Sequence, residues 1–130
     1  MTHPLHYLAL AVAGGLGTLL RAGCTTLAVR LAGDERAWAA EAATLAINVA
    51  GSLAFGFIYG LAQSRELIPP AWQSIILVGL LGGFTTYSSF AFQSASLVSQ
   101  GRLGWGLAYV AATSLLALAA VWAGLRLASG

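Results

Sequence analysis

The residues best suited to chemistry lie between Gly79 and Phe90, in the stretch GLLGGFTTYSSF. Two adjacent glycines, Gly82 and Gly83, precede two β-branched threonines, Thr85 and Thr86. Tyr87 and Phe90 form an aromatic pair at i, i+3 spacing, and Ser88 and Ser89 place two hydroxyls between them. The stretch sits in a charge-free run from Leu67 to Gly101, long enough to cross a bilayer. It reads badly as a helix, because each glycine costs about 1 kcal/mol relative to alanine in a helix interior. A helix interrupted at membrane depth must find partners for its freed carbonyls and amides. Such breaks persist where they are buried in protein or line a polar cavity. Broken spans of this kind build ion sites, so the segment points to ion handling.

The other polar groups at membrane depth share one bias. Asn48, in ATLAINVAGS, needs a hydrogen-bond partner. It serves either as an interhelical pin or as an NH2 donor lining an anion path. Thr113 and Ser114 offer hydroxyls that line a path or bond back to their own helix. Gln93, about one turn past Phe90, needs a partner as well. Arg21 either snorkels to the interface or gives a vestibule positive potential. All of these are donors or cations. Asp34, Glu35, Glu41 and Glu66 fall in loops or at helix starts, so no acid lies deep in the chain. That argues against a cation-coupled exporter of the small multidrug type, which depends on a glutamate embedded in its first helix. Catalysis has no support either. There is no carboxylate pair, and His3 and His6 sit in the N-terminal tail without a ligand-spaced partner. Cys24, the lone cysteine, reads as a small buried residue.

The elements that position these residues follow from composition. The chain is 58% hydrophobic and 8% charged, with a mean hydropathy of +0.82, whereas soluble domains carry about 25% charged residues. The charges divide its 130 residues into four pieces of spanning length, at about 5–31, 40–63, 70–99 and 103–127. The expectation is a single all-α membrane module of four transmembrane helices with a break in the third. Gly33-Asp34-Glu35-Arg36 is a polar turn, Pro69-Pro70 suits a helix start, and Gly101 suits a helix end. Trp38, Trp72, Trp105 and Trp122 fall near span ends, as interfacial aromatics do. The first span lacks the basic start of a signal peptide, and Arg21 spoils a lipoprotein-like reading of the residues before Cys24.

Orientation is weakly encoded. One side carries Arg65 and Arg126, the other Arg30, Arg36 and Arg102, with Arg21 embedded near it. This bias is slight under the positive-inside rule. It fits a single orientation with weak signals, and it fits insertion both ways, which would build an antiparallel dimer. Glycines at 14, 15, 17, 51, 56, 79, 82 and 83 allow close helix approach, without saying which faces pair.

The chain resembles the Fluc (CrcB) family of small fluoride channels. Gly14-Gly15-Leu16-Gly17 with Arg21 is similar to that family's glycine-rich first helix. Thr44-Leu45-Ala46-Ile47-Asn48 followed by Gly51 resembles its TLxxN motif. Gly82 to Phe90 resembles its GGxTTFSTF signature, and Gly101-Arg102-Leu103-Gly104-Trp105 the opening of its fourth helix. The resemblance implies a passive, fluoride-specific channel that lowers fluoride toxicity from a bacterial inner membrane, and no enzyme. It implies an antiparallel, dual-topology homodimer with two pores. It also implies a structural sodium ion at the dimer centre, held by the backbone carbonyls of Gly82 and Thr85. The implied anion pathway is Asn48, Tyr87, Ser88, Phe90, Tyr109 and Thr113, with Arg21 at the vestibule. Three positions depart from the pattern. Tyr87 replaces a phenylalanine, Gln93 stands where many members have glutamate, and Ala117 falls near a common serine. The Tyr87 hydroxyl either enters the pore or is satisfied elsewhere, by Thr113 or Asn48. The competing class is a noncatalytic assembly subunit of a larger membrane complex.

Overall fold

The computed structural model describes residues 4–33, 38–65 (backbone only at Arg65) and 67–130. The readings placed on His3, Asp34, Glu35, Arg36 and Glu66 lie outside these residues. Every described element is helical: α1 (Pro4–Leu31), α2 (Ala39–Arg65), α3 (Pro70–Ser74), a π-helical segment (Ile75–Leu81), α4 (Gly82–Phe84), α5 (Tyr87–Ser99) and α6 (Leu103–Ser129). Four stretches are long and apolar enough to cross a membrane: Pro4–Leu31, Ala39–Ser64, Pro70–Ser99 and Leu103–Ser129. Helices satisfy their own backbone groups, which is what hydrocarbon demands of a spanning segment.

Local chemistry sets the ends. Pro4 and Pro70 open α1 and α3, where a missing N–H costs nothing. Glu41 lies in the first turn of α2, complementing its dipole. At the end of α5, Gly101 takes a left-handed φ of 75°. Its N–H donates to Val98 O at 3.0 Å, and Arg102 N–H donates to Leu97 O at 2.9 Å. That is the paired bond pattern of a Schellman end. Gly33, with a φ of 54°, follows α1 in the same conformation.

Two glycine seams hold the bundle together. In the first, α1 packs on the π segment and α4. A Cβ at Gly17 would land on the Leu80 carbonyl, and one at Gly83 on the Gly14 carbonyl. In the second, α2 packs most extensively on α6. A Cβ at Gly56 would meet the Val121 carbonyl, and one at Gly124 the Leu53 carbonyl. Gly60, against Ala128 and Leu125, extends that seam. The buried residues include many small ones, Ala13, Ala43, Ala62, Ala120 and Ala128 among them, beside the larger Ile47, Leu77, Leu81, Phe90 and Leu97. Large apolar side chains such as Leu8, Leu19, Leu115 and Leu118 point outward. Cys24 is exposed, against the expectation of a buried residue. It lies on an outer face of α1, between exposed neighbours at 23 and 26.

The seams predict which glycines tolerate a methyl group. Gly124→Ala and Gly83→Ala force backbone apart and should cost roughly 1–3 kcal/mol. Gly15→Ala and Gly23→Ala, where nothing lies within 4 Å of the added carbon, should be neutral or slightly stabilising. Thermal unfolding of the purified variants in detergent checks this, and equal midpoints for the two pairs would remove the seams.

Candidate ion site

The third span changes character at its centre. Thr85 has φ −76° and ψ 159°, and Thr86 has φ −149° and ψ 115°. Both are extended, the region β-branched side chains favour. Thr85 closes the preceding turn, its N–H and its Oγ1 each donating to Leu81 O at 2.9 Å. Thr86 opens the next helix, its Oγ1 accepting from Ser89 N at 3.2 Å, the bond expected of a threonine N-cap.

The exposed peptide at Thr86 is held from the neighbouring helix. Thr86 N–H donates to Asn48 Oδ1 at 2.8 Å, and Asn48 Nδ2 donates to Thr86 O at 3.0 Å. A carboxamide carries one donor and one acceptor in the geometry of a peptide group, so Asn48 completes an unwound backbone as a second strand would. One N–H of its NH2 group is used in this way. The second remains, and Asn48 borders a groove. Pin and donor are therefore compatible roles. Gly51, one turn further along α2, lets Thr85 approach, since a Cβ there would strike Thr85 Cγ2.

These bonds redirect two donors. In a continuous α-helix Thr86 N–H would serve the Gly82 carbonyl, and Ser89 N–H the Thr85 carbonyl. Here the first goes to Asn48 and the second to the Thr86 hydroxyl. The Gly83 carbonyl between them receives Arg21 Nε at 3.2 Å and Thr18 Oγ1 at 3.5 Å from α1. Arg21 is thus a strut from α1 to α4.

A groove of about 340 Å³ runs beside the extended residues. It brings together Asn48, Gly82, Thr85, Tyr87, Phe90 and Thr113, six of the nine residues singled out in the sequence. Tyr87 is 79% exposed at its edge and meets Phe90 edge-on, with centroids 5.6 Å apart and planes at 61°. Phe90 in turn lies 5.5 Å from the Tyr109 ring. The Thr113 hydroxyl is buried and unpartnered, although the Tyr109 hydroxyl is a neighbour. The other three lie apart. Ser88 borders a mixed groove of about 510 Å³ with Glu41, Ser89, Phe92, Gln93 and Ser96, so an acid stands in its lining. Tyr109 borders a third groove, and its hydroxyl donates to Gln93 Oε1 at 2.7 Å, which supplies the partner Gln93 requires. Arg21 holds Gly83, as described.

Sequence reasoning missed Ser52 and Phe55, which line the groove with Asn48. The signal was present, because positions 48, 52 and 55 share one helix face at i, i+4, i+7 spacing. Ala117 and Ser114 also line it. Chemically, the wall offers amide and hydroxyl donors and aromatic edges, which carry positive partial charge. Among the described residues, its lining contains no acid.

Four bilayer-length helices around a donor-lined groove define a multi-pass membrane protein built for transport. The chain matches the family described as CrcB-like protein, Camphor Resistance (CrcB), over residues 8–125. It is 40% identical over 120 residues to the fluoride-specific ion channel FluC of Rhodospirillum centenum, covering 92% of both chains. The protein of the same name from Nitratidesulfovibrio vulgaris is 38% identical over 117 residues, 89% of this chain and 90% of the relative. That from Azotobacter vinelandii is 38% identical over 122 residues, covering 92% and 94%. The chain belongs to the CrcB family, whose members are ion channels rather than enzymes.

Asn48→Ala leaves the Thr86 N–H and C=O without partners, each costing about 1–3 kcal/mol when buried. Asn48→Asp keeps an acceptor for the Thr86 N–H but, ionised, sets a buried charge against the Thr86 carbonyl, so it should be no more stable than alanine. Thermal unfolding in detergent ranks the three. A wild-type midpoint for Asn48→Ala would show that the clamp contributes nothing.

Proposed function

We propose that the chain is the subunit of a channel that conducts fluoride passively across a bacterial inner membrane and so relieves fluoride toxicity. The observation that carries this reading is the wall of the 340 Å³ groove: amide, hydroxyl and ring-edge positive charge, with no carboxylate among the described residues of the lining. Fluoride is small and strongly hydrated, so donors must replace the water it sheds. Ring edges and single hydroxyls do so without trapping it, as conduction through successive weak sites requires. The names of the relatives support the choice of anion.

The proposed assembly is an antiparallel, dual-topology homodimer. Its support is the near balance of arginines in the sequence and the openness of the groove, where Tyr87 is 79% exposed in one chain. Two copies would face these open sides toward each other. The proposed site for sodium is the pair of carbonyls at Gly82 and Thr85. The donor set fits a hard monovalent cation, since both carbonyls are oxygens whose helical N–H donors are diverted. Unwound carbonyls of this kind hold Na⁺ in other membrane proteins. The ion would neutralise their dipoles where two copies meet.

A fluoride electrode following efflux from liposomes that hold only this protein tests the function. Rapid loss without a partner or a coupling gradient is expected. Retained fluoride from a correctly folded dimer would favour the assembly-subunit class instead. In the same assay Tyr87→Phe should speed efflux several-fold. It removes a hydroxyl that neither Asn48 nor Thr113 bonds and that can hold fluoride by a charge-assisted bond, roughly twice the strength of a neutral one. Tyr87→Ile should slow efflux by removing the ring edge. Unchanged rates in both would take position 87 out of the path.

Gly82→Val separates the proposed ion site from the stability of the subunit. Gly82 is exposed, and a Cβ there would meet only Leu77 O, at an ordinary 3.8 Å. A Cβ at this exposed position therefore fits within one chain. Efflux should fall at least tenfold, or ~1.4 kcal/mol, with the helical circular-dichroism signal intact. Wild-type efflux would remove the carbonyl site.

A further inference from the structure

A separate pair of grooves lies where α2 and α6 begin. The first, about 280 Å³, is walled by Trp38, Glu41, Leu45, Arg102, Trp105 and Ala108, among others. The two helices run parallel, because Ser64, near the end of α2, bonds Ala128 O near the end of α6. Both N-termini, the positive ends of their dipoles, therefore face the same membrane surface. Arg102 is the N-cap residue of α6, and Glu41 lies in the first turn of α2. Among the described residues, this groove thus has one arginine and one glutamate in its lining, Glu41 also bordering the Ser88 groove. Below them it is lined by Ala42, Leu45, Ala108 and Ala112.

The second groove, also about 280 Å³, is lined by Ala28, Leu31, Ala32, Trp38, Ala39 and Ala42. It shares Trp38 and Ala42 with the first, so the two furrows adjoin at these residues. Trp38 and Trp105 are 53% and 68% exposed, at the level where indoles meet headgroups.

We propose that these grooves seat one zwitterionic glycerophospholipid with a primary-amine headgroup. Its phosphate pairs with Arg102 and the N-terminus of α6, its ammonium with Glu41, and its two acyl chains lie on either side of Trp38. Charge complementarity selects this occupant. A purely anionic headgroup would satisfy Arg102 while facing the Glu41 carboxylate, and a lone cation would face Arg102. The paired apolar furrows match two chains from one headgroup.

The test uses full-length protein reconstituted in vesicles of equal parts phosphatidylethanolamine, phosphatidylglycerol and phosphatidylcholine. The protein is extracted in mild detergent, and retained lipids are counted by native mass spectrometry. Wild type should retain phosphatidylethanolamine above its share of the vesicle. Arg102→Gln should lower retention on the order of fivefold, the weight of one basic residue at a lipid surface, and Arg102→Lys should largely restore it. Glu41→Gln should keep a phosphate-bearing lipid but lose the preference for the amine, so that phosphatidylglycerol is retained equally. Retention in vesicle proportions by wild type would overturn the proposal. So would Arg102→Gln that releases no lipid but splits the dimer, which would make this face a contact between copies. Fluoride efflux is not the readout, so failure here leaves the proposed channel function standing.

Discussion

The pairing of the Asn48 carboxamide with the Thr86 peptide is the constraint on which the rest of the site depends. An extended residue inside a membrane span leaves an N–H and a C=O with no intrahelical partner, and each such group costs several kcal/mol in hydrocarbon. Asn48 supplies both complements, at 2.8 and 3.0 Å. The consequences are local and directional. The Gly82 carbonyl loses the donor that went to Asn48, and the Thr85 carbonyl loses the one that went to the Thr86 hydroxyl. On the opposite side of the turn, Gly83 O is taken by Arg21 and Thr18. Three neighbouring carbonyls thus meet different environments, two deprived of their helical donors and one tied into α1.

That arrangement requires close backbone approach, which explains where glycine appears. Gly51 admits Thr85 toward α2, and Gly83 admits α4 toward Gly14. In lipid there is little hydrophobic gain from bringing two apolar helices together, so close packing and hydrogen bonds hold them. The bundle follows that rule. Its seams are glycine and alanine, many of its large apolar residues face outward, and its site is fixed by side chain to backbone bonds between spans.

The fold class was largely legible from composition. Apart from Arg21, the charges of a chain that is 8% charged fall near the ends of spans, so they divide the chain into four helices. Gly101 as a helix end was legible too, because few residues adopt a φ of 75°. The polar residues of the site stood out because donors at membrane depth are rare. Their partners did not, because a partner depends on which helices are adjacent and at what register. Asn48 left open whether it bonded a helix or an ion until Thr86 was opposite it. Arg21 read as a vestibule cation or a snorkelling side chain, and neither reading named the Gly83 carbonyl. The π-helical turn at Ile75–Leu81 had no signal, since its apolar residues suit an α-helix equally well. Ser52 and Phe55 went unnamed because Asn48 was read alone rather than as one position on a helix face.

The groove is also incomplete by itself. One wall is set by Asn48, Phe90 and Thr113 on packed helices. The other side is open, where Gly82 and Tyr87 face outward. An anion stripped of water gains from donors only if water is kept away, because electrostatic interactions weaken steeply in a high dielectric. An open groove in a lone chain cannot supply that exclusion. The features that look unfavourable in a single subunit, a bare glycine turn and an exposed aromatic hydroxyl at mid-span, are explained if an identical surface covers them. Under the proposed antiparallel pairing, each chain would present its carbonyl pair and its outward ring to the other. Closure, carbonyl neutralisation and the second pore wall would then come from one contact. The cost of unwinding a span would be offset in the dimer rather than within the subunit.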